Sequence, residues 1–256
     1  MRVQVLTIFP ELFEPFLRTS LVGKAIEKGL LEVTVRDLRD FTEDRHRTVD
    51  DVPYGGGGGM VMTAPPWIRA VRALSEGTRP WRVLLSPQGA RLDDARVREL
   101  AGRGDLLLMC GRYEGIDERV RQTVVDEEIS IGDYVLGGGE LPAMVLIEAA
   151  SREIPGVVQQ RESVERDSFR TGLLDYPHYT RPPVVEGLVV PEVLTSGDHA
   201  AIERWRLAAA LAATLDKRPD LLAAAPLTPA ARRELDRLRA ERAAGGVAGS
   251  LGSLDN

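Results

Sequence analysis

Apolar residues recur along this chain in two rhythms. Short continuous runs rich in β-branched residues alternate with longer stretches of helical period. The runs Val3 to Ile8, Leu31 to Val35, Arg82 to Leu85, Leu106 to Cys110 and Glu127 to Ile131 predict strands. Between them, helices are predicted from Leu21 to Lys28, capped by Ser20 and closed by Gly29, and from Pro65 or Pro66 to about Leu74. Further helices are predicted over Asp93 to Arg103, Asp117 to Val125, and from Glu140 or Pro142 to Arg152. Strands alternating with helices imply an α/β fold, a mostly parallel sheet covered on both faces.

Ligands bind such sheets at the carboxyl ends of the strands. Three glycine-bearing loops are predicted there: 86–89, 111–115 and 130–139. The third is the densest, with four glycines between Gly132 and Gly139 before Pro142, which suits the first turn of a helix. Glycine at that density admits unusual backbone conformations and close approach of a ligand to the main chain, so this stretch reads as a binding loop.

After Pro155 the periodicity weakens. Residues 1–156 are therefore read as one domain and 157–175 as a flexible linker. Residues 176–243 form a second, mainly helical domain, and 244–256 a Gly/Ser-rich disordered tail. Residues 38–63 are a long polar connection that includes the run Gly55 to Gly59.

Composition changes this picture little. A hydrophobic fraction of 43% and a charged fraction of 28% are those of a globular protein, and no apolar run is long enough to span a membrane. The first residues lack the pattern of a signal peptide, and the single cysteine, Cys110, rules out an intrachain disulfide; both point to the cytoplasm. A net charge of -6 argues against coating nucleic acid by bulk charge, but leaves room for local basic faces. Two stand out: Arg36, Arg39, Arg45 and Arg47, and Arg181, Arg204, Arg206, Lys217 and Arg218 around Trp205. Solvated helix faces and phosphate contacts to an RNA both account for them.

Candidate chemistry is sparse. No Lys-Ser/Thr follows the five-glycine run and no dinucleotide fingerprint follows the first strand, which counts against nucleotide hydrolysis and a Rossmann methyltransferase. The run is either a flexible connection or a binding loop. His46, His178 and His199 have no metal-ligand spacing, and nothing beside Cys110 suggests thiolate activation. Glu114 sits between Tyr113 and Gly115 with little room to be an ordinary surface charge. From the residues alone Asp167 reads as a turn or cap residue, and Arg152 as a helix-end cation serving the macrodipole.

Several motifs in one order carry a resemblance. Cys110-Gly-Arg-Tyr-Glu-Gly-Ile-Asp-Glu-Arg119, Ser130-Ile-Gly-Asp-Tyr-Val-Leu136 and Gly138-Gly-Glu-Leu-Pro-Ala-Met144 are similar to the signature of the bacterial tRNA (guanine-N1)-methyltransferases. So are Phe9-Pro-Glu11, His46-Arg-Thr-Val-Asp-Asp51, Ser86-Pro-Gln-Gly89, Asp167-Ser-Phe169, Gly172-Leu-Leu-Asp175 and Pro177-His-Tyr-Thr-Arg-Pro182. The resemblance spans nearly all of residues 1–220.

That resemblance implies a SPOUT-class fold with a deep trefoil knot. It also implies a homodimer with active sites at the subunit interface, and S-adenosylmethionine as cofactor. The matching cofactor residues are Leu85, Pro87, Gly111, Tyr113, Glu114, Ile131, Gly132, Tyr134, Leu136, Gly138 and Gly139. The substrate implied is tRNA with guanosine at position 37, with contacts at His46, Asp50, Arg181, Arg204 and Arg206, and magnesium is implied for full activity. Asp167 matches a general base for guanine N1, and Arg152 a cation that stabilises charge on O6. Gly58 departs from the proline common in the family, and Gly137 from serine. A non-catalytic RNA-binding module on the same fold is the alternative, which the presence of both Asp167 and Arg152 disfavours.

Overall fold

The computed structural model describes residues 1–249, apart from the side chains of 161–163 and 245–249. The chain divides into two compact units, Met1–Arg161 and Glu162–Asn256.

The first unit is built on strands β1 (Arg2–Thr7), β2 (Glu32–Asp37), β5 (Trp81–Arg91), β6 (Asp105–Cys110) and β7 (Glu127–Ser130). They form one sheet in the order β2-β1-β6-β5-β7, with every pairing parallel. Between β2 and β5 lies a two-residue antiparallel pair, β3 (Asp50–Asp51) with β4 (Val61–Met62).

β6 is the middle strand, and its run Leu106 to Cys110 is buried throughout because both faces are covered. Alternate residues feed two cores. Leu106, Leu108 and Cys110 join Val83 and Leu85 on one side, against Phe13, Val22, Ala25, Ala143, Leu146 and Ile147. Leu107 and Met109 join Leu84 on the other, against Trp67, Ala70, Val71, Val120 and Val124. The helices Ser20–Glu27 and Glu140–Ser151 therefore cover one face, and Ala64–Leu74 and Glu118–Val124 the other.

Three expectations change here. Ser20 is not the cap of its helix: Thr19 holds that position without a side-chain bond, and Ser20 has a φ of 55°. The strand expected to stop at Leu85 continues to Arg91, because 86–89 bulges out while Leu85 and Ala90 both pair with Ile129. The connection 38–63 is ordered in part, by the helical turn Leu38–Phe41 and the β3–β4 pair.

In the second unit, helices His199–Lys217 and Pro229–Gly249 pack through Leu211, Ala231, Leu235 and Leu238. Asp198 caps the first, accepting from the Ala201 N–H at 3.0 Å. Strands β8 (Val184–Val185) and β9 (Leu188–Val189) form a hairpin that the hydrophobic pattern did not signal. The stretch read as a linker holds a short helix, Arg161–Arg166, and a turn whose Leu173 is buried in the second unit's core. Helix Pro229–Gly249 takes in the first residues of the expected tail, and 250–256 lie outside the described residues.

Candidate functional site

Three loops meet at the carboxyl edge of adjacent strands β6, β5 and β7, and each is shaped by a close approach of main chain. In the β5 bulge, a Cβ on Gly89 would lie 2.3 Å from the Ile129 nitrogen, so only glycine lets the chain return to β7. After β6, Tyr113 adopts a φ of 60°, an uncommon conformation for a bulky residue, and stands 51% exposed. After β7, the Ser130 hydroxyl donates to the Gly132 carbonyl at 3.0 Å and accepts from its N–H at 3.2 Å.

The glycines of 130–139 serve proximity more than backbone handedness. Gly132 alone among them has a positive φ, 155°. Gly139 runs against β6, donating to the Gly111 carbonyl at 2.9 Å, and a Cβ there would lie 2.7 Å from the Cys110 Cα. A Cβ on Gly137 would meet nothing closer than 3.5 Å, so that glycine is not demanded by space.

The loops enclose a cleft of about 240 Å³, room for a ligand much larger than water. All the residues matched to cofactor contacts, Leu85, Pro87, Gly111, Tyr113, Glu114, Ile131, Gly132, Tyr134, Leu136, Gly138 and Gly139, line it. Its wall is mainly backbone and apolar side chain, with Tyr134 and Val135 left 55% and 82% exposed. Cys110 is fully buried behind it, where burial and the nearby Glu140 carboxylate push the thiol well above its usual pKa. That makes it a packing residue, not a nucleophile.

The five-glycine run, open to either reading in the sequence, touches this cleft at one end, where a Cβ on Gly59 would lie 2.5 Å from the Glu114 side chain. Glu114 donates its N–H to the Met60 carbonyl at 3.0 Å, and Met62 donates to the Gly115 carbonyl at 2.9 Å. Gly55, Gly56, Gly57 and Gly59 all have positive φ. A Cβ on Gly58 would meet nothing within 4 Å, so another residue can stand there.

Arg152 terminates helix Glu140–Ser151 and is half-buried in the first unit. Asp167, also half-buried, belongs to the second, in a turn that follows helix Arg161–Arg166. The Arg170 N–H donates to the Asp167 carbonyl at 3.2 Å, the Phe169 N–H to Leu173 at 2.7 Å, and the Asp175 N–H to the Ser168 hydroxyl at 2.9 Å.

The residues matched to tRNA contacts fall in both units. His46 is exposed in a turn ordered by Asp44, which accepts from the His46 and Thr48 N–H groups, and Asp50 is half-buried in β3. Hydrogen bonds from Thr48 hold the Asp44 carboxyl below its usual pKa. Arg181 and Arg204 are exposed, while Arg206 pairs with Glu203 at 2.7 Å and lies 5.0 Å over the Tyr176 ring. In the first basic patch, Arg39 and Arg47 pair with Asp37 and Asp40, so the sequence overstated its free charge. Sequence reasoning missed Arg112, half-buried at the cleft wall, and its buried ion-pair partner Glu140, since neither had a local signal beyond its glycine neighbours.

A wholly parallel α/β sheet with a backbone-built cleft at its carboxyl edge defines a binder of an extended organic ligand. Comparison narrows that class. The family model described as tRNA (Guanine-1)-methyltransferase TrmD matches residues 1–224. The chain is 55% identical over 251 residues to the tRNA (guanine-N(1)-)-methyltransferase of Halorhodospira halophila, covering 97% of this chain and 95% of that one. Enzymes of the same name from Moorella thermoacetica and Escherichia coli O139:H28 are 53% and 52% identical, over 93% and 95% of this chain and 96% of each relative. The chain belongs to the tRNA (guanine-1)-methyltransferase family. Members use S-adenosylmethionine, and a cleft of about 240 Å³ lined by apolar side chains and glycine-bearing main chain is compatible with an organic ligand of that kind. Among the described residues no helix is long and apolar enough to cross a membrane.

Proposed function

We propose that this chain methylates N1 of the guanosine at position 37 of tRNA. The observation that carries the reading is the convergence of three glycine-shaped loops on one cleft in a chain of this family. S-Adenosylmethionine supplies the methyl group from its sulfonium. The residues that would hold it are Leu85, Pro87, Gly111, Tyr113, Glu114, Ile131, Gly132, Tyr134, Leu136, Gly138 and Gly139.

Guanine N1 carries a proton at neutral pH and is a poor nucleophile until that proton leaves. Asp167 accepts it as general base. The charge left on the ring spreads to O6, where the Arg152 guanidinium stabilises it. Arginine suits this role because it stays charged and offers several donors in a fixed fork. His46, Asp50, Arg181, Arg204 and Arg206 contact the tRNA, whose target base must be turned out of its loop to expose N1.

The active unit is a homodimer in the cytoplasm. Support for a second copy comes from helix Glu140–Ser151, which leaves Leu141 and Val145, one turn apart, 58% and 46% exposed on an otherwise buried helix. The trefoil knot belongs to the same reading. Magnesium assists the reaction. Among the described residues no His/Cys/Asp/Glu cluster marks a place for it, and none is assigned.

The deciding assay is methyl transfer to unmodified tRNA transcripts carrying guanosine or adenosine at position 37. Transfer confined to the guanosine transcript, with the product alkali-stable at N1, is expected. Tight tRNA binding with no methyl incorporation would make the chain a binding module instead.

A further inference from the structure

One charged cluster in the first unit, built on a buried carboxylate and a half-buried guanidinium, has no part in the chemistry above. Glu140 is 1% exposed at the start of its helix, directly after the three glycines. One of its carboxylate oxygens accepts from the Thr7 hydroxyl at 2.7 Å, at the end of β1. The other lies 2.9 Å from Nε of Arg112, an ion pair whose N–H is turned off the line of a hydrogen bond. Arg112 in turn donates from Nη1 to the Gly137 carbonyl at 3.1 Å, and its guanidinium lies 4.5 Å from the centre of the Phe9 ring. Thr7 also accepts from the Phe9 N–H at 3.0 Å, which closes the circuit.

We propose that Arg112 and Glu140 are positioning residues that hold the glycine loop in its ligand-ready shape. The cluster joins three segments distant in sequence: the end of β1, the loop after β6 and the loop after β7. Glycine-rich loops have many alternative conformations, and fixing one of them before the ligand arrives raises affinity. An isolated buried charge pair is poor value for stability alone, since apolar residues of similar volume serve as well. Placement at the cleft wall gives it another use. The fit is tight: a Cβ on Gly138 would lie 2.2 Å from Arg112 Nε and 2.5 Å from Glu140 Oε2. Gly138 is therefore the residue that lets the pair sit flush behind the cleft.

This proposal rests on the cofactor reading, so its test begins with the unaltered full chain. Calorimetric titration of wild-type protein with S-adenosylmethionine, and separately with its demethylated thioether product, establishes whether the cleft takes that ligand at all. Failure there overturns the cofactor reading. If wild type binds, Glu140→Gln should bind both ligands about tenfold more weakly, as expected when the ready loop falls to about a tenth of the population. Hydrogen exchange on the ligand-free proteins supplies the second readout. Amides of 136–139 should lose protection in Glu140→Gln while those of 106–110 in β6 keep theirs. Gly138→Ala, which displaces the pair without removing it, should reproduce the pattern. Unchanged ligand affinity, or protection lost evenly across the sheet, would overturn the positioning role and leave the pair a packing feature.

Discussion

The cleft of the first unit and the turn at 167–173 of the second serve one proposed reaction by opposite means. The cleft is a surface of main chain. Gly89, Gly138 and Gly139 are fixed by distances of 2.2 to 2.7 Å that no Cβ can occupy, and its side chains are mostly apolar filling. The turn would bring a single carboxylate, Asp167, to that reaction, on main chain ordered by a few hydrogen bonds and by Leu173 in the core. A main-chain site tolerates many side-chain changes but almost no added volume. A side-chain site tolerates volume but not loss of a single functional group.

The sharpest break of that contrast is Asp167→Ala. Methyl transfer should fall by roughly 10²- to 10⁴-fold, the range for a lost general base, with cofactor binding by calorimetry unaltered. Full turnover would remove Asp167 from the mechanism. Arg152→Ala comes next, with turnover down about 10²- to 10³-fold and tRNA affinity reduced far less. Were the loss confined to affinity, Arg152 would be a phosphate contact.

On the cleft side, Gly139→Ala puts a methyl 2.7 Å from the Cys110 Cα, main chain that cannot step aside. Overpacking of that kind costs about 1–3 kcal/mol of folding stability, and the loop it displaces should bind the cofactor more weakly in calorimetric titration. Gly137→Ala is the control, because its added carbon comes no nearer than 3.5 Å to Arg112. Equal losses in the two would mean that glycine acts through flexibility and not through space.

The same contrast explains what could be read from the letters alone. Strand runs such as Leu106 to Cys110 were legible because burial on both faces demands continuous apolar sequence. The glycine loop at 130–139 was legible because close approach demands glycine, as at Gly138 and Gly139. The bulge in β5 was not, since Ser86-Pro87-Gln88-Gly89 looks the same at a strand's end as within it. Ser20 was misread as a cap because serine favours that position locally, whereas Thr19 occupies it in the fold. Glu140 and Arg112 were invisible, because a charge pair is defined by a partner 28 residues away. Asp167 and Arg152 took their roles only from the family resemblance. Single residues carry no pattern.

The turn of the second unit can be loosened without touching Asp167. Thr214 is fully buried, donating to the Ala210 carbonyl at 2.7 Å and accepting from the Leu174 N–H at 2.9 Å. Thr214→Val keeps the shape and leaves that N–H without a partner, at about 1–3 kcal/mol. Thermal unfolding should shift down, and turnover should fall while cofactor affinity holds. A shift in unfolding without loss of turnover would show that the turn needs its composition more than its geometry.

The smallest effect compares an ion pair from each unit. Asp126 in the first is bound by Arg82 through its guanidinium, at 2.7 and 2.5 Å, and through its main-chain N–H, at 3.0 Å. Burial pushes the Asp126 carboxyl up, but those hydrogen bonds and the Arg82 charge outweigh it and hold the pKa below the usual range. A depressed carboxyl contributes stability above its unfolded pKa, near about 4, and loses it as pH falls through the lower folded value. Asp126→Asn should therefore cost about 1 kcal/mol in urea unfolding at pH 7. That difference should shrink below about pH 4 and vanish once both forms are neutral. Asp216 in the second unit is likewise held low by Arg242, but both side chains are well exposed, and solvent screens the pair. Asp216→Asn should change unfolding less at neutral pH. An Asp216 effect as large as that of Asp126 would show that the Arg82–Asp126 pair gains nothing from its partial burial.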